Sequence, residues 1–157
     1  MEKIKKSVEK MWKEYLESKE EIVQNTDQTY TSWYFCDNEK SANDLAELVK
    51  KGIKRATTSL HCFYEVEGES LPKIGELSII TDWNGEAQGI IETTKVTVMP
   101  FKEVSSEFAF REGEGDKSLE YWKKVHIHFF TKELKEINME FSEDMLVVCE
   151  EFEVVYK

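Results

Sequence analysis

Cysteine is scarce and unpatterned in this sequence: Cys36, Cys62 and Cys149 are an odd number and form no C-x-x-C spacing. That argues against a disulfide framework and a zinc ribbon, and it points to a reducing, cytoplasmic address. Basic residues are also in short supply, with 21 lysines and arginines against 32 acids and a formal net charge of −11. The chain as a whole repels phosphate backbones, so no DNA partner is expected and any nucleic-acid contact has to be local. Long apolar runs are missing as well. The first twenty residues interrupt each apolar step with Lys or Glu and so form no signal-peptide core. No later stretch reaches membrane-spanning length, so no membrane partner is expected.

What is present is a globular composition, 40% hydrophobic and 12% aromatic over 157 residues, which suits one domain with a single core. Ile4, Val8, Met11, Trp12, Tyr15 and Leu16 recur at helical spacing, so the N-terminus is predicted as an amphipathic helix followed by the polar linker "QNTDQT". "YTSWYF" has strand composition. "DNEKSANDLAELVKKG" reads as a helix capped by Asp37 or Asn38 and stopped at Gly52, with Ala42, Leu45, Ala46, Leu48 and Val49 facing inward. Asn84-Gly85 joins two β-rich runs and predicts a hairpin with a two-residue turn. After Pro100 come a short helix in "KEVSSEFAFR", the loop "EGEGD", a longer helix from near Ser118, and a final strand in "DMLVVCEEFEVVYK". Strands interrupted by helices without regular βαβ spacing indicate an α+β fold with a mostly antiparallel sheet or small barrel.

Two polar stretches carry candidate chemistry. In "KKGIKRATTS" (50–59), Lys50 and Lys51 belong to a helix C-terminus, where the dipole favours cations. Lys54 and Arg55 lie beyond Gly52 and run into Thr57, Thr58 and Ser59, three hydroxyls that such cations can activate or help to bind a ligand. In "REGEGDKSLEYW" (111–122), Glu112, Glu114 and Asp116 alternate with glycines, and Asp116 or Ser118 is positioned to cap the next helix. The stretch is no phosphate loop, because Asp116 stands where that motif needs glycine and the carboxylates repel phosphate. It also lacks the twelve-residue calcium pattern, and no metal site or cofactor is assigned. His126 and His128 are two apart on a helix and point to different faces. His126, one turn from Trp122, reads as a half-buried histidine packed on an aromatic. Most aromatics must be core. Trp33 and Trp122 are taken as candidates to stack on a nucleobase.

From about Trp33 to the C-terminus the chain resembles the ASCH domain family, relatives of the PUA domain. The likeness is most specific at "GIKRAT" (52–57) and "EGEGD" (112–116). It implies a PUA-like, mostly antiparallel β-barrel with flanking helices over residues 30–157, and an added helix and linker over 1–29, as in longer bacterial members. The resemblance implies binding of RNA, or of a nucleotide or nucleoside, in a cleft lined by the "GIKRAT" turn. An alternative is an amidohydrolase that deacylates N4-acetylcytidine-type nucleosides through Lys54, Thr57 and a glutamate. A third is a metal-dependent ribonuclease. In the hydrolase, Thr57 would attack after Lys54 accepts its proton, and the glutamate would serve the leaving nitrogen and then water. Aligning from the acidic stretch selects Glu112, and aligning back from the long helix selects Glu114, so both are carried. Desolvation and Arg55 lower the Lys54 pKa while a facing glutamate raises it, which leaves its charge state open.

Overall fold

The "NG" segment forms the hairpin its sequence predicts, with a wider turn. In the computed structural model, which describes residues 5–19 and 28–157, strands Leu77–Thr81 and Ala87–Pro100 pair antiparallel, with Thr81 opposite Ala87. The connection widens because an Asp82 carboxylate oxygen accepts from the backbone N–H of Asn84 and of Glu86, each at 3.0 Å, while Gly85 supplies φ +85°. Ile4 and the first four residues of "QNTDQT" lie outside the described residues.

In chain order the elements are α1 (Lys6–Ser18), β1 (Tyr30–Trp33), α2 (Glu39–Lys50), β2 (Ala56–Leu60), α3 (His61–Glu67), β3 (Leu77–Thr81), β4 (Ala87–Pro100), a 3₁₀ turn (Phe101–Glu103), α4 (Ser106–Glu112), α5 (Leu119–Lys135) and β5 (Leu146–Tyr156). One sheet has the order β1-β3-β4-β5-β2. Among the described residues, only β1 and β3 run parallel. The α+β, mostly antiparallel architecture is as expected, but the barrel is not: β1 and β2 are unpaired edges among the described residues, so the sheet is not closed. The short edge strands, four and five residues long, leave little backbone with which to join.

Helices cover the sheet in three places. Val8, Tyr15 and Leu16 of α1 pack with Leu77, Ile79 and Ile90. Ala46 and Val49 of α2 pack with Phe35, Ile80, Ile91 and Phe152. Neighbouring Ile79 and Ile80 thus serve different clusters, as strand alternation requires. The largest cluster joins α4 and α5, through Ala109, Trp122, Phe130 and Leu134, to Ala56, Leu60, Val147 and Cys149. No helix among the described residues is long and apolar enough to cross a membrane.

Three local features aim the polar stretches at each other. Asn38 caps α2 by accepting from the Ser41 N–H at 2.9 Å, and Ala42, Ala46 and Val49 become buried while Leu45 and Leu48 stay half-buried. At the other end Gly52 (φ +73°) reverses the chain, and the N–H groups of Ile53 and Lys54 both return to the Leu48 carbonyl. The end of α4 then docks on this turn: the Arg55 N–H donates to Arg111 O at 2.7 Å, and Gly113 (φ +72°) lies against Ile53.

A Cβ on Gly113 would meet the Ile53 carbonyl oxygen at 2.4 Å, whereas one on Gly52 would meet nothing within 4 Å. Gly113→Ala is expected to lose roughly 1–3 kcal/mol of stability, since backbone flanks it and the φ is positive. Gly52→Ala should lose only about 1 kcal/mol, from its φ alone. Urea denaturation of both variants checks the ranking.

Candidate active site

Lys54 leaves the Gly52 turn pointing into the protein and is 1% exposed. Its ammonium donates to Ala56 O at 2.8 Å, Glu112 Oε1 at 3.1 Å and Glu114 Oε2 at 3.0 Å, so its three N–H bonds are all used. The Phe35 ring lies 5.1 Å from Nζ. Burial pulls the Lys54 pKa down, but the charges of Glu112 and Glu114 outweigh it and hold the value above that of an ordinary lysine. The question left open by the sequence is answered on the side of the cation.

Glu112 ends α4 and is also 1% exposed. Its second oxygen, Oε2, accepts from Thr58 Oγ1 at 2.6 Å and from the Trp122 indole N–H at 2.5 Å, and it lies 3.3 Å from His126 Nε2. Burial alone would raise this carboxyl. Lys54, His126 and the Thr58 hydroxyl hold it well below the usual carboxylate range instead. His126 Nδ1 lies 2.8 Å from the Trp122 carbonyl. Both ring nitrogens therefore face acceptors, an arrangement that only the imidazolium satisfies. Burial lowers the His126 pKa, and Glu112 more than restores it.

A cavity of about 100 Å³ opens beside this network. Phe35, Leu45, Val125 and Phe129 form its apolar wall; Lys54, Thr57, Thr58, Glu112, Glu114 and His126 form its polar one. Thr57, opposite Glu150 on β5, borders the cavity with a hydroxyl that makes no hydrogen bond among the described residues. Glu114, 18% exposed at its side chain, is the carboxylate nearer solvent. The cavity is smaller than the roughly 300–1,000 Å³ typical of sites that enclose a whole drug-sized ligand. It has room for an acyl group or the edge of a base.

The candidates from the sequence divide accordingly. Lys54, Thr57, Thr58, Glu112 and Glu114 converge, and both glutamates contact the lysine. Arg55 is exposed and joins the structure through its backbone, and Ser59 bonds the Tyr64 hydroxyl at 2.8 Å away from the cavity lining. Neither tryptophan lines the cavity. Trp122 is 2% exposed between Phe101 and His126, with ring centroids 5.0 and 4.2 Å away, and Trp33 packs against Phe35 outside the lining. Asp116 accepts the Ser118 N–H, and Ser118 caps α5. His126 is the participant that the sequence reading missed. Its spacing of four from Trp122, on the helix after the acidic loop, was the available signal.

Ligand atoms of Glu112, Glu114 and His126 lie within 4.8 Å of one another, close enough to consider a metal. They do not suit one: the Lys54 ammonium already occupies the cation position between the carboxylates, and both His126 nitrogens are engaged.

The fold is a PUA-like α+β sheet with a Lys–Glu–Glu cluster beneath a basic turn. The sequence matches the profile of the ASCH domain over residues 31–156, and the protein belongs to that family. It superimposes on the crystal structure of an ASCH domain from Lactobacillus crispatus JV V101 with TM-score 0.89 and 38% identity, covering 100% of this chain and 99% of that one. A protein from Enterococcus faecalis V583 matches with TM-score 0.84 and 40% identity over 96% of this chain and 89% of its own. No curated protein matches the sequence.

Glu112→Gln removes the charge that compensates two buried cations and is expected to cost about 3–5 kcal/mol. Glu114→Gln should cost less, because water reaches Glu114. The pH profile of stability follows from the signs. The Glu112 contribution is complete above about pH 4.5 and is lost as pH falls through its depressed pKa. The His126 contribution is complete below about pH 6.5 and is lost as pH rises through its elevated one. Glu133 and Glu150, pushed up to about 7 by burial, add a decline between pH 4.5 and 7. Chemical denaturation across pH should show a maximum on the acid side of neutrality, and His126→Gln should flatten the alkaline limb.

Proposed function

We propose that this ASCH domain is an amidohydrolase that removes the acyl group from a small N-acylated pyrimidine nucleoside such as N4-acetylcytidine. The observation that carries the reading is the buried ammonium of Lys54 held between two carboxylates in unlike environments, beside the unengaged hydroxyl of Thr57. Strongly perturbed ionisable groups lining a small cavity are a mark of a functional site. The small cavity, the covered Trp122 and the net charge of −11 all favour a small ligand over an RNA strand.

The two carboxylates divide the work as environment dictates. Glu112, tied to four partners and held ionised, orients Lys54 and Thr58. Glu114, bonded to Lys54 and partly open to solvent, moves the proton. Thr57 Oγ attacks the acyl carbon and its proton passes to Glu114, while the fixed charge of Lys54 stabilises the developing oxyanion. The C–N bond then breaks, and Glu114 returns the proton to the departing exocyclic nitrogen. Water attacks the acyl-threonine ester and gives a proton to Glu114, which passes it to Thr57 Oγ as the free acid leaves. Lys54 keeps its proton throughout, unlike the base role carried over from the family resemblance.

Incubating the protein with N4-acetylcytidine should release cytidine and acetate, and Thr57→Ala and Glu114→Gln should each lower the rate about 100-fold or more. Thr58→Val should leave most activity. No product at enzyme concentrations matching the substrate rejects the reading, and full activity in Thr57→Ala with loss in Thr58→Val moves the nucleophile to Thr58.

A further inference from the structure

The outer face of α5 carries charge that the cavity does not use. Lys124, His128, Thr131, Lys132 and Lys135 line, with Ile127, a surface hollow of about 580 Å³. No carboxylate is in that lining, in a chain with 32 acids and 21 bases. An ordinary solvated helix face interleaves acids with its lysines at i±3 and i±4. Here the steps 124 to 128 to 132, and 131 to 135, join basic or hydroxyl residues, and the acids one turn beyond the stripe, Glu120 before Lys124 and Glu136 after Lys132, lie outside the lining. Lys124 and Lys135 have no ion-pair partner among the described residues, and Lys132 alone is tied, to Asp37 at 3.0 Å.

That one ion pair locates the hollow relative to the cavity. Asp37 follows Cys36, which lines the cavity, and Lys132 lines the hollow. Val125 and Phe129 wall the cavity, and His128 and Lys132, three residues further along the same helix, wall the hollow. Three residues are less than one turn, under about 5.4 Å along the axis. The hollow and the cavity are therefore neighbours along α5.

We propose that this hollow is a phosphate subsite, and that the ligand is a pyrimidine nucleoside monophosphate whose base edge enters the cavity. The placement of the base rests on the functional reading above; the phosphate site rests on the α5 face alone. One hollow with two lysines free of ion pairs, a third shared with Asp37, a histidine and a threonine hydroxyl matches one phosphate monoester, which offers several acceptor oxygens and up to two charges. Elsewhere a chain of net charge −11 gives a longer phosphate backbone little to follow.

The test compares cytidine with cytidine 5′-monophosphate by calorimetry on the full chain, in wild type and in Lys124→Glu/Lys135→Glu, neither position being in the cavity. The monophosphate should bind at least 10-fold more tightly, and added salt and the double variant should each erase that advantage while leaving cytidine affinity unchanged. The monophosphate should also shift the α5 lysine signals in NMR spectra. Equal or weaker binding of the monophosphate overturns the proposal, as does an equal loss for both ligands in the variant. A third arm, a short single-stranded RNA, overturns the choice of a mononucleotide if it binds more tightly than the monophosphate through the same lysines. Because these readouts need no turnover, a protein that binds the monophosphate here but fails to hydrolyse N4-acetylcytidine loses only the enzymatic reading. Hydrolysis without a phosphate preference removes only this one.

Discussion

A lysine ammonium out of contact with water has to find its entire solvation inside the protein. Lys54 does so with one carbonyl and two carboxylates, and each of those acceptors imposes a further condition. Glu112, itself buried, needs partners for its remaining lone pairs and finds them in Thr58, Trp122 and His126. His126 in turn needs an acceptor for its second N–H, which the Trp122 carbonyl provides. The network closes with no buried side-chain polar atom unpaired among the described residues. It joins the turn after α2, the start of β2, the end of α4 and one face of α5.

The backbone is arranged around that requirement. Gly52 turns the chain so that the lysine enters the interior, and Gly113 lets the end of α4 approach Ile53 closely enough to bring both glutamates to the ammonium. Stacking of Trp122 between Phe101 and His126 fixes the indole N–H toward Glu112. Replacing such a network with apolar side chains is often neutral or stabilising in other proteins. Such a network, by itself, is weak evidence for stability of the fold.

Much of the architecture was legible from local signals. The helix capped at Asn38 and stopped at Gly52, the hairpin at Asn84-Gly85 and the Ser118 cap each rest on residues that act within one turn of themselves. The Lys54 to Glu112 and Glu114 contact followed from the family resemblance, since 58 and 60 residues separate the partners. Other features were decided by burial. Trp122 has the composition of a stacking platform, but packing covers both faces and leaves only its N–H for use. His126 packs on Trp122 as its spacing indicates, but its contact with Glu112 lay outside the reach of local sequence signals. Closure of the sheet depends on whether β1 and β2 meet, which neither strand's composition encodes.

The sequence by itself determined the elements, their caps and turns, the family, and which residue types stand at the basic turn and the acidic loop. Those properties depend on side chains interacting with their own backbone, over a few residues. Only the tertiary structure decided that the lysine is a cation, that both glutamates hold it in unlike environments, and that a histidine completes the set. A charge state in the interior is the balance of desolvation against partners brought from distant parts of the chain, and that balance exists only once the chain has folded.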